Sequence, residues 1–440
     1  MQVIGFICPV ALIISIASGK ELSVHLSDKV IAKVGPEFLS LGLDSSLIRG
    51  GWCNVQWKRL RNLAAALSPA FLRFGGNDAD RLIYTPTGPQ LANRSRFCPH
   101  RKPQRPTFNM TNHDWKRLNR FAKATKLSLV WDLDGMLRSG GAWAAENARK
   151  LLAYSAAHRY PLAFELGNEP NSWRHKFGLF VPPEQLAADF AHLRRLLAQF
   201  PEYANTTVIG PSVTNPDKRG SKGYLEAFLA AGGAASISAA SVHHYYISGW
   251  TANASQFLDP NIMDSLETML TSVRKSTLKL GVHRLWLGET ASAYGGGAVG
   301  LSDAYISGFF WLNKLGVAAR TGVEVVIRQS LFKGDYALLD QRTKPNPDYF
   351  LSLLYKRLLG SLVLNVTLNP PDSSIRLFAH CNASTLILFG MNLRTEPAVL
   401  NLDSRFNQSA IQAYFYAPAS GRLTDRQVKI NGAKMKYAGA

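Results

Sequence analysis

Two glutamates are the residues of this sequence best suited to carry chemistry. Glu169 lies in the segment 165–173 (ELGNEPNSW), directly after a short apolar run, and Glu289 lies in the segment 286–297 (WLGETASAYGGG). Two carboxylates that face each other can break a glycosidic bond. One protonates the leaving oxygen, and the other attacks the anomeric carbon across about 5 Å or activates a water across about 6.5–9.5 Å. The sequence leaves that separation open. The acid would need a raised pKa, which burial or a neighbouring carboxylate can supply.

The elements that must position these glutamates are strands that alternate with helices. Eight apolar runs alternate with helical segments between residues 36 and 359, so the fold class is α/β and a (β/α)₈ TIM barrel is predicted. Glu169 follows the fourth run and Glu289 the seventh, and the carboxyl ends of all strands meet at one mouth of such a barrel. The predicted strands are 38–43, 71–74, 127–131, 161–164, 207–209, 237–242, 284–287 and 324–327.

The pattern changes after about residue 360, where short β-like segments are separated by turn residues. Together with residues 20–35 they predict a C-terminal antiparallel β-sandwich domain that is joined by an N-terminal strand. The predicted domains are a signal peptide at 1–19, joining strands at 20–35, the catalytic barrel at 36–359 and the sandwich at 360–440. The predicted sandwich segments are 361–368, 375–379, 385–391 and 398–402.

The charge of the chain indicates an acidic partner. Lys and Arg outnumber Asp and Glu by 50 to 30 in 440 residues, which gives a net charge of +20 and a pI of about 9.9. Nucleic acid, an anionic membrane or an acidic polysaccharide would fit. The apolar start at residues 1–19 predicts a signal peptide. Asn-x-Ser/Thr sequons support the secretory route, which argues against nucleic acid. They stand at Asn93, Asn109, Asn205, Asn253, Asn365, Asn382 and Asn407.

Neither a membrane span nor a metal site is predicted. No segment after residue 19 has the 18 or so uncharged apolar residues that a span requires. Outside the predicted signal peptide the cysteines are Cys53, Cys98 and Cys381, an odd number, and a bridge between Cys53 and Cys98 is one possible pairing. Because no metal-ligand spacing is present, we expect no metal and no cofactor.

Five segments resemble those of the heparanases, the endo-β-glucuronidases of glycoside hydrolase family 79. Besides the two glutamate segments these are 72–76 (LRFGG), 243–246 (HHYY) and 326–329 (VIRQ), and the similarity spans about residues 21 to 435. The resemblance implies a retaining endo-β-D-glucuronidase that hydrolyses internal glucuronyl linkages in heparan sulfate. It also implies a monomer that is secreted to the extracellular matrix or sent to the lysosome and reaches membranes only peripherally through proteoglycans.

The resemblance also implies roles for individual residues. Glu169 would be the acid/base and Glu289 the nucleophile, Asn168 would hold the 2-hydroxyl of the sugar, and Tyr245 would orient the nucleophile. Glycines suit an anion site because backbone N–H groups without a Cβ beside them can approach closely. The implied contacts to the glucuronate carboxylate are Tyr294, Gly295 and Gly296, and the further sugar-contacting positions are Asp44, Asn77, Asn215, Gln329 and Tyr336.

The sequence also departs from the family pattern. Asn77 stands where the family usually has Thr, Asn215-Pro216-Asp217 replaces Gln-Pro-Arg, and Trp250 replaces a basic residue. These changes leave catalysis intact but weaken the expectation of a sulfate preference. The loop at 85–107 is short, so we expect a single active chain. The chain stops about where the family has its last sandwich strands, so we expect either a truncated C-terminus or a sandwich that closes differently.

Two other functions remain open. The chain could be a catalytically silent heparan-sulfate-binding protein, although both carboxylates argue against this, or an exo-β-glucuronidase. Each of these residues, taken alone, could also have a purely structural role, because a glutamate at a strand end is ordinarily solvated or salt-bridged. We expect Glu165 to be structural, because buried carboxylates need partners. His243 and His244 could either pack at the barrel rim or contact the substrate.

Overall fold

The computed structural model describes residues 2–8, 20–88, 106–218, 220–406 and 409–437. The strands are β1 (Gln2–Cys8), β2 (Lys20–Lys33), β3 (Leu39–Asp44), β4 (Ala70–Gly75), β5 (Leu82–Tyr84), β6 (Phe108–Met110), β7 (Leu127–Leu133), β8 (Arg138–Ser139), β9 (Ala142–Trp143), β10 (Leu162–Leu166), β11 (Ile209–Val213), β12 (Ala239–Ser248), β13 (Leu285–Tyr294), β14 (Val325–Arg328), β15 (Leu362–Asn369), β16 (Ile375–Cys381), β17 (Thr385–Asn392), β18 (Ala398–Leu402), β19 (Ile411–Pro418), β20 (Val428–Ile430) and β21 (Ala433–Lys434).

The helices alternate with the strands as far as residue 358. They are α1 (Ser46–Arg49), α2 (Trp57–Ala65), α3 (Asn112–Thr125), α4 (Glu146–Ala157), α5 (Trp173–Phe177), α6 (Pro183–Leu197), α7 (Ser221–Phe228), α8 (Ala234–Ser236), α9 (Pro260–Lys279), α10 (Ser307–Arg320) and α11 (Pro347–Leu358).

Eight parallel strands form the barrel, in the order β10-β7-β4-β3-β14-β13-β12-β11. A parallel bridge between Phe164 and Val208 brings the first and last of these strands together and closes the ring. The strands read as near-continuous apolar runs because side chains fill the barrel interior on one face while the other face packs under the helices. The predicted (β/α)₈ barrel is therefore confirmed, and each of its eight strands overlaps a predicted strand.

The structure extends two of these strands well beyond their predicted ends. β12 and β13 were predicted at 237–242 and 284–287, yet they remain paired as far as Ser248 and Tyr294. Polar and aromatic residues replace the apolar run here, so hydrophobicity alone could not detect the extension. The backbone hydrogen bonds between the two strands continue nevertheless. The extension carries Tyr245 and Glu289 on neighbouring strands.

A second, nine-stranded sheet follows the barrel, in the order β18-β2-β15-β16-β17-β1-β19-β20-β21. The predicted antiparallel pairing holds from β2 through β15 and β16 to β17, whereas β18 pairs parallel with β2, and β1 pairs parallel with β17 and β19. One face of this sheet packs on the barrel: the Phe378 ring lies so close to Gly316 of α10 that no side chain would fit there. The other face buries its own cluster around Val24 and Val366.

Several other predictions fall wholly or partly outside what the structure describes. Residues 9–19 of the predicted signal peptide are outside it, and over residues 2–8 the backbone forms β1. Cys53 is disulfide-bonded, while Cys98 lies outside the described residues, and Cys381 is free. Within the described ranges, none of the helices is both long enough and apolar enough to cross a bilayer.

Candidate active site

The backbone at Glu169 is held in an unusual conformation at the mouth of the barrel. Glu169 follows β10 with φ of 53°, in the left-handed region that non-glycine residues rarely adopt. Its N–H donates to the Ser212 carbonyl at 3.1 Å, and Pro170 begins a short 3₁₀ turn directly after it. Such strain persists only where the surroundings enforce it, and it often marks a functional position.

Glu289 faces Glu169 across the mouth. It lies within β13, and the nearest carboxylate oxygens of the two residues are within 4.8 Å of each other. Both side chains are partly shielded, with 14% of Glu169 and 12% of Glu289 exposed. The strand order therefore brings together two carboxylates that are 120 residues apart in the sequence.

Two donors fix the Glu289 carboxylate. The Arg73 guanidinium donates to Oε2 at 2.8 Å, and the Tyr245 hydroxyl donates to Oε1 at 2.6 Å. Burial, and next the negative charge of Glu289, raise the pKa of Tyr245 well above its ordinary value. Tyr245 therefore keeps its proton and remains a donor, so both oxygens of Glu289 are held in place.

Arg73 connects the two halves of the site, a function that sequence reasoning missed. Its guanidinium also donates to Glu165 at 2.6 Å and to the Asn168 side-chain oxygen at 3.0 Å, and it lies 3.6 Å from Asp132. Burial lowers the pKa of Arg73, but the negative charges of Glu165 and then Glu289 raise it, and the net effect is a pKa above the ordinary value. The guanidinium therefore stays charged. Glu165 is fully buried in this ion pair, which agrees with the structural role expected for it.

The Arg73 position could have been noticed in the sequence. The segment 72–76 was one of those that resembled the family, and an arginine within an apolar barrel strand requires buried acidic partners. Gly75 leaves space for the guanidinium, because a Cβ there would lie 2.9 Å from Arg73 Cζ. The two residues are therefore matched: the glycine makes room for the arginine that holds the nucleophile.

Glu169 has two nitrogen partners of its own. Lys176, on α5, forms an ion pair with Oε2, and His243 Nδ1 lies 3.0 Å from Oε1. Burial raises the pKa of Glu169, but Lys176 and His243 together outweigh it and hold the pKa well below its usual range. The sequence predicted a raised pKa for the acid, and that expectation is wrong for the protein without substrate. The cause is Lys176, which sequence reasoning did not consider.

Asn168 is held from several sides. Its side-chain N–H donates to the Asn77 side-chain oxygen at 3.0 Å, and its backbone N–H donates to Asp80 at 3.1 and 3.2 Å. Lys176 also donates to Asn77 at 2.8 Å. The predicted pair of Asn77 and Asn168 therefore lies beside both Arg73 and Glu169. Its fixed side chains could bind a sugar hydroxyl next to the carboxylates.

Aromatic rings and glycines form one wall of the site. The Tyr336 ring stacks on Tyr245 with a centroid separation of 6.1 Å, and the Gly296 carbonyl accepts from the backbone N–H groups of Asp335 and Tyr336. Gly295 and Gly296 have φ of 84° and 101°, conformations that favour glycine. This wall connects the predicted carboxylate contacts to the tyrosine that holds Glu289.

Three predicted positions differ in how they relate to the carboxylates. Asp44 is half-buried at the end of β3, where partial burial raises its pKa, and it accepts from the Ser46 N–H. Gln329 is buried after β14, and its side-chain oxygen lies against Gly42 of β3. Asn215, by contrast, accepts within its own turn, from the Asp217 N–H at its side chain and from the Lys218 N–H at its carbonyl. Asp44 and Gln329 therefore flank the mouth, and Asn215 lies on the loop after β11.

A cation could meet the same groups, but we assign none. An oxygen of Glu169, an oxygen of Glu289 and a ring nitrogen of His243 lie within 4.8 Å of one another. Arg73 and Lys176 already supply positive charge to the two carboxylates, so a metal ion would compete with two bound cations. Carboxylates that alternate with fixed cations suit proton transfer and nucleophilic attack better than metal binding.

Comparisons with known proteins agree with this geometry. The family profile "Glycosyl hydrolase family 79, N-terminal domain" matches residues 45–316. Heparanase of Gallus gallus is 36% identical over 94% of this chain and 88% of its own length, and hyaluronoglucuronidase of Hirudo nipponia is 31% identical over 95% and 92%. The solved 4-O-α-L-rhamnosyl-β-D-glucuronidase of Fusarium oxysporum 12S shares the fold, with a TM-score of 0.58 and 16% identity over 83% of this chain and 79% of that one. The chain belongs to glycosyl hydrolase family 79.

Proposed function

We propose that the protein is a retaining endo-β-D-glucuronidase that hydrolyses internal glucuronyl linkages in heparan sulfate. The observation that carries the proposal is the separation of at most 4.8 Å between the nearest oxygens of Glu169 and Glu289. Retaining glycosidases hold their carboxylates about 5–5.5 Å apart, whereas inverting enzymes leave about 6.5–9.5 Å for a water. The short separation favours direct attack on the sugar.

The reaction would proceed in two displacements. Glu289 attacks the anomeric carbon while Glu169 protonates the leaving oxygen, so the glycosidic bond breaks and a glycosyl–Glu289 ester forms. Glu169, now a carboxylate, then takes a proton from a water that attacks the same carbon, and the ester bond to Glu289 breaks. Arg73 and Tyr245 would hold the two carboxylate oxygens of Glu289 in position for its attack on the anomeric carbon. Two inversions leave the product with its original β configuration.

The Lys176 ion pair adds a condition to the first step. Glu169 must be protonated before it can act as an acid, but Lys176 favours its charged form. A polyanionic substrate offers Lys176 other anions, and movement of the ammonium group away from Glu169 would let the carboxyl group take up a proton. His243 remains beside the other oxygen and keeps the carboxyl group in position. Binding of the substrate would thus prepare the acid.

Glucuronate in an acidic polysaccharide fits the surroundings of the carboxylates. Backbone N–H groups at Gly295 and Gly296, together with Tyr294 and Tyr336, would receive its carboxylate, and Asn168 its 2-hydroxyl. The net charge of +20 would raise the local concentration of a polyanion. The names of the relatives, heparanase and hyaluronoglucuronidase, also point to glucuronate polymers. We further propose that the protein is secreted, which the predicted signal peptide and the sequons support, and that it acts as a monomer.

Cleavage of size-defined heparan sulfate tests the proposal. Size-exclusion chromatography should show rapid shortening of the chains by the wild type and none by Glu289→Gln or Glu169→Gln, while NMR should detect the β anomer as the first product. If wild type and Glu289→Gln bound heparin equally and neither cleaved, the chain would be a silent binding protein. If terminal glucuronate were released without early shortening, it would be an exo-β-glucuronidase. A first product in the α configuration would refute retention.

A further inference from the structure

A large aromatic side chain projects from the rim of the site with most of its surface in water. Trp250 is 70% exposed, although an indole is costly to leave in solvent. It lies two residues beyond β12, and its ring makes an edge-on contact with the Tyr294 ring, with a centroid separation of 5.6 Å and an angle of 80°. The proposed reaction gives Trp250 no task.

The Trp250 indole is held in a fixed position. The Gly249 N–H donates to the Tyr294 carbonyl at 2.9 Å, and a Cβ on Gly249 would lie only 2.7 Å from that carbonyl oxygen, so the two chain segments are in close contact. On the other side, a Cβ on Gly295 would lie 2.7 Å from Trp250 Cζ2. The indole therefore lies directly against the Gly295 backbone. A ring fixed in this way loses little entropy on binding a ligand.

Contacts connect this indole to the nucleophile. Gly295 is followed by Gly296, whose carbonyl accepts from the Tyr336 N–H at 3.3 Å, and the Tyr336 ring stacks on Tyr245. Tyr245 in turn donates to Glu289. Because Gly295 and Gly296 are the proposed contacts of the reacting glucuronate, Trp250 borders that sugar's place. A polysaccharide bound there would extend its neighbouring sugar along the indole.

The side chains around Trp250 favour an uncharged sugar ring over a sulfated one. An indole face packs well against the C–H groups of a pyranose, whereas a sulfate on that ring would lose water without gaining a cation from the indole. Lys218 holds its ammonium 4.3 Å from the centroid of Tyr294, so one positive charge lies beside the ring that contacts Trp250. Asp217, beside it in the sequence, adds a negative charge that disfavours sulfate.

We propose that Trp250 is a stacking platform for the hexosamine next to the reacting glucuronate and that it directs the enzyme to unsulfated, N-acetylated stretches of the polymer. The inference rests on the proposed glucuronidase function and specifies its substrate. Lys218 supports the platform by attracting the carboxylate of a nearby uronate. Trp250 itself binds the sugar and takes no part in bond breaking.

Two substrates with the same backbone test the platform. Heparosan is the unsulfated glucuronate–N-acetylglucosamine polymer, and highly sulfated heparan sulfate is its charged counterpart. In Trp250→Ala the ratio of kcat/KM for heparosan to that for heparan sulfate should fall about tenfold, the scale of one lost aromatic contact. The change should be mainly in KM. Trp250→Phe, which keeps a ring, should stay close to the wild-type ratio. Val299→Ala, at an 82% exposed apolar residue of the following loop, is the matched control and should leave the ratio unchanged.

Calorimetry provides a readout that needs no turnover. A heparosan octasaccharide should bind Glu289→Gln about tenfold more tightly than the double variant that also carries Trp250→Ala. An unchanged ratio together with unchanged binding would overturn the platform, as would a Val299→Ala effect as large as that of Trp250→Ala. If the wild type cleaved neither polymer, the proposed enzymatic function would fail, yet the binding comparison would still test Trp250. Melting temperatures of the variants exclude unfolding as the cause of a loss.

Discussion

Removing the positive charge of Lys176 should move the pH dependence of the enzyme to higher pH. Lys176 forms an ion pair with Glu169 and holds its pKa low, so Lys176→Met should raise the pKa of the proposed acid. The alkaline limb of kcat/KM reports the acid of the free enzyme. With a raised pKa, Glu169 keeps its proton to higher pH, and the limb should therefore move upward.

The size of that movement follows from the burial of the pair. Two unit charges in contact near a protein surface interact by about 4 kcal/mol at an effective dielectric constant near 20. Lys176 is 24% exposed and Glu169 14% exposed. Water and salt therefore screen part of the interaction, and roughly half, about 2 kcal/mol, should remain. About 1.36 kcal/mol corresponds to one pH unit, so the limb should move by about 1.5 pH units.

The assay is kcat/KM for heparan sulfate at constant ionic strength, measured from pH 2 to 8, because the lowered pKa of Glu169 places the wild-type limb at the acidic end of that range. Lys176→Arg keeps the charge and should keep the limb in place. Lys222→Met, which removes an exposed lysine 3.5 Å from Glu226 on α7, should do the same. A weaker affinity of Lys176→Met for the polyanion would lower the whole profile without moving its midpoint. A limb that stayed at the wild-type pH, or that moved downward, would refute the control of Glu169 by Lys176.

Three further changes test other parts of the structure. Tyr245→Phe removes a 2.6 Å hydrogen bond to the Glu289 carboxylate, which is worth about 1.5–3 kcal/mol. We expect kcat to fall roughly 10- to 100-fold while the melting temperature stays unchanged. An unchanged kcat would argue against an orienting role. Burial raises the pKa of Asp134 to about 7, so the free energy of unfolding of the wild type should fall as pH rises from about 4 to 7. The free energy of unfolding of Asp134→Asn, relative to wild type, should therefore increase across that window and level off above it. A difference that stayed constant in urea titrations would contradict this. Gly316→Ala would drive a Cβ into the Phe378 ring where the barrel meets the second sheet, so the free energy of unfolding should fall by about 1–3 kcal/mol while the pH profile of activity stays unchanged; equal stability would show that the ring can move aside.

The sequence predicted the barrel because the barrel strands carry strong local signals. Each is an apolar run bounded by polar residues. The strand count places Glu169 and Glu289 at the carboxyl ends of two strands that lie on opposite sides of the same barrel mouth. The pairing of two carboxylates needed only the order of the strands, which the (β/α)₈ fold dictates. Two residues that are 120 positions apart in the sequence could therefore be placed together from the strand order alone.

The protonation state of the acid could not be predicted in the same way. Lys176 reaches Glu169 only because a left-handed residue, a 3₁₀ turn and the five-residue helix α5 fold the chain back on itself. No periodicity encodes such a return. The Arg73 network is similar, because its partners come from separate strands and only three-dimensional packing shows which carboxylates share the guanidinium.

The second sheet imposes an order on how the chain can fold during synthesis. β2 leaves the ribosome early, but its antiparallel partner β15 begins at Leu362, more than 300 residues later. Pairings so distant in sequence form slowly, and an unpaired strand edge can associate with other chains in the meantime. Most barrel strands pair with near neighbours in sequence, and the one distant partner, β14 against β3, ends at Arg328, so the barrel can close before β15 emerges. The edge of β2 would then stay unpaired until most of the polypeptide has been synthesised. We therefore expect β2 to be a segment that a chaperone protects during synthesis.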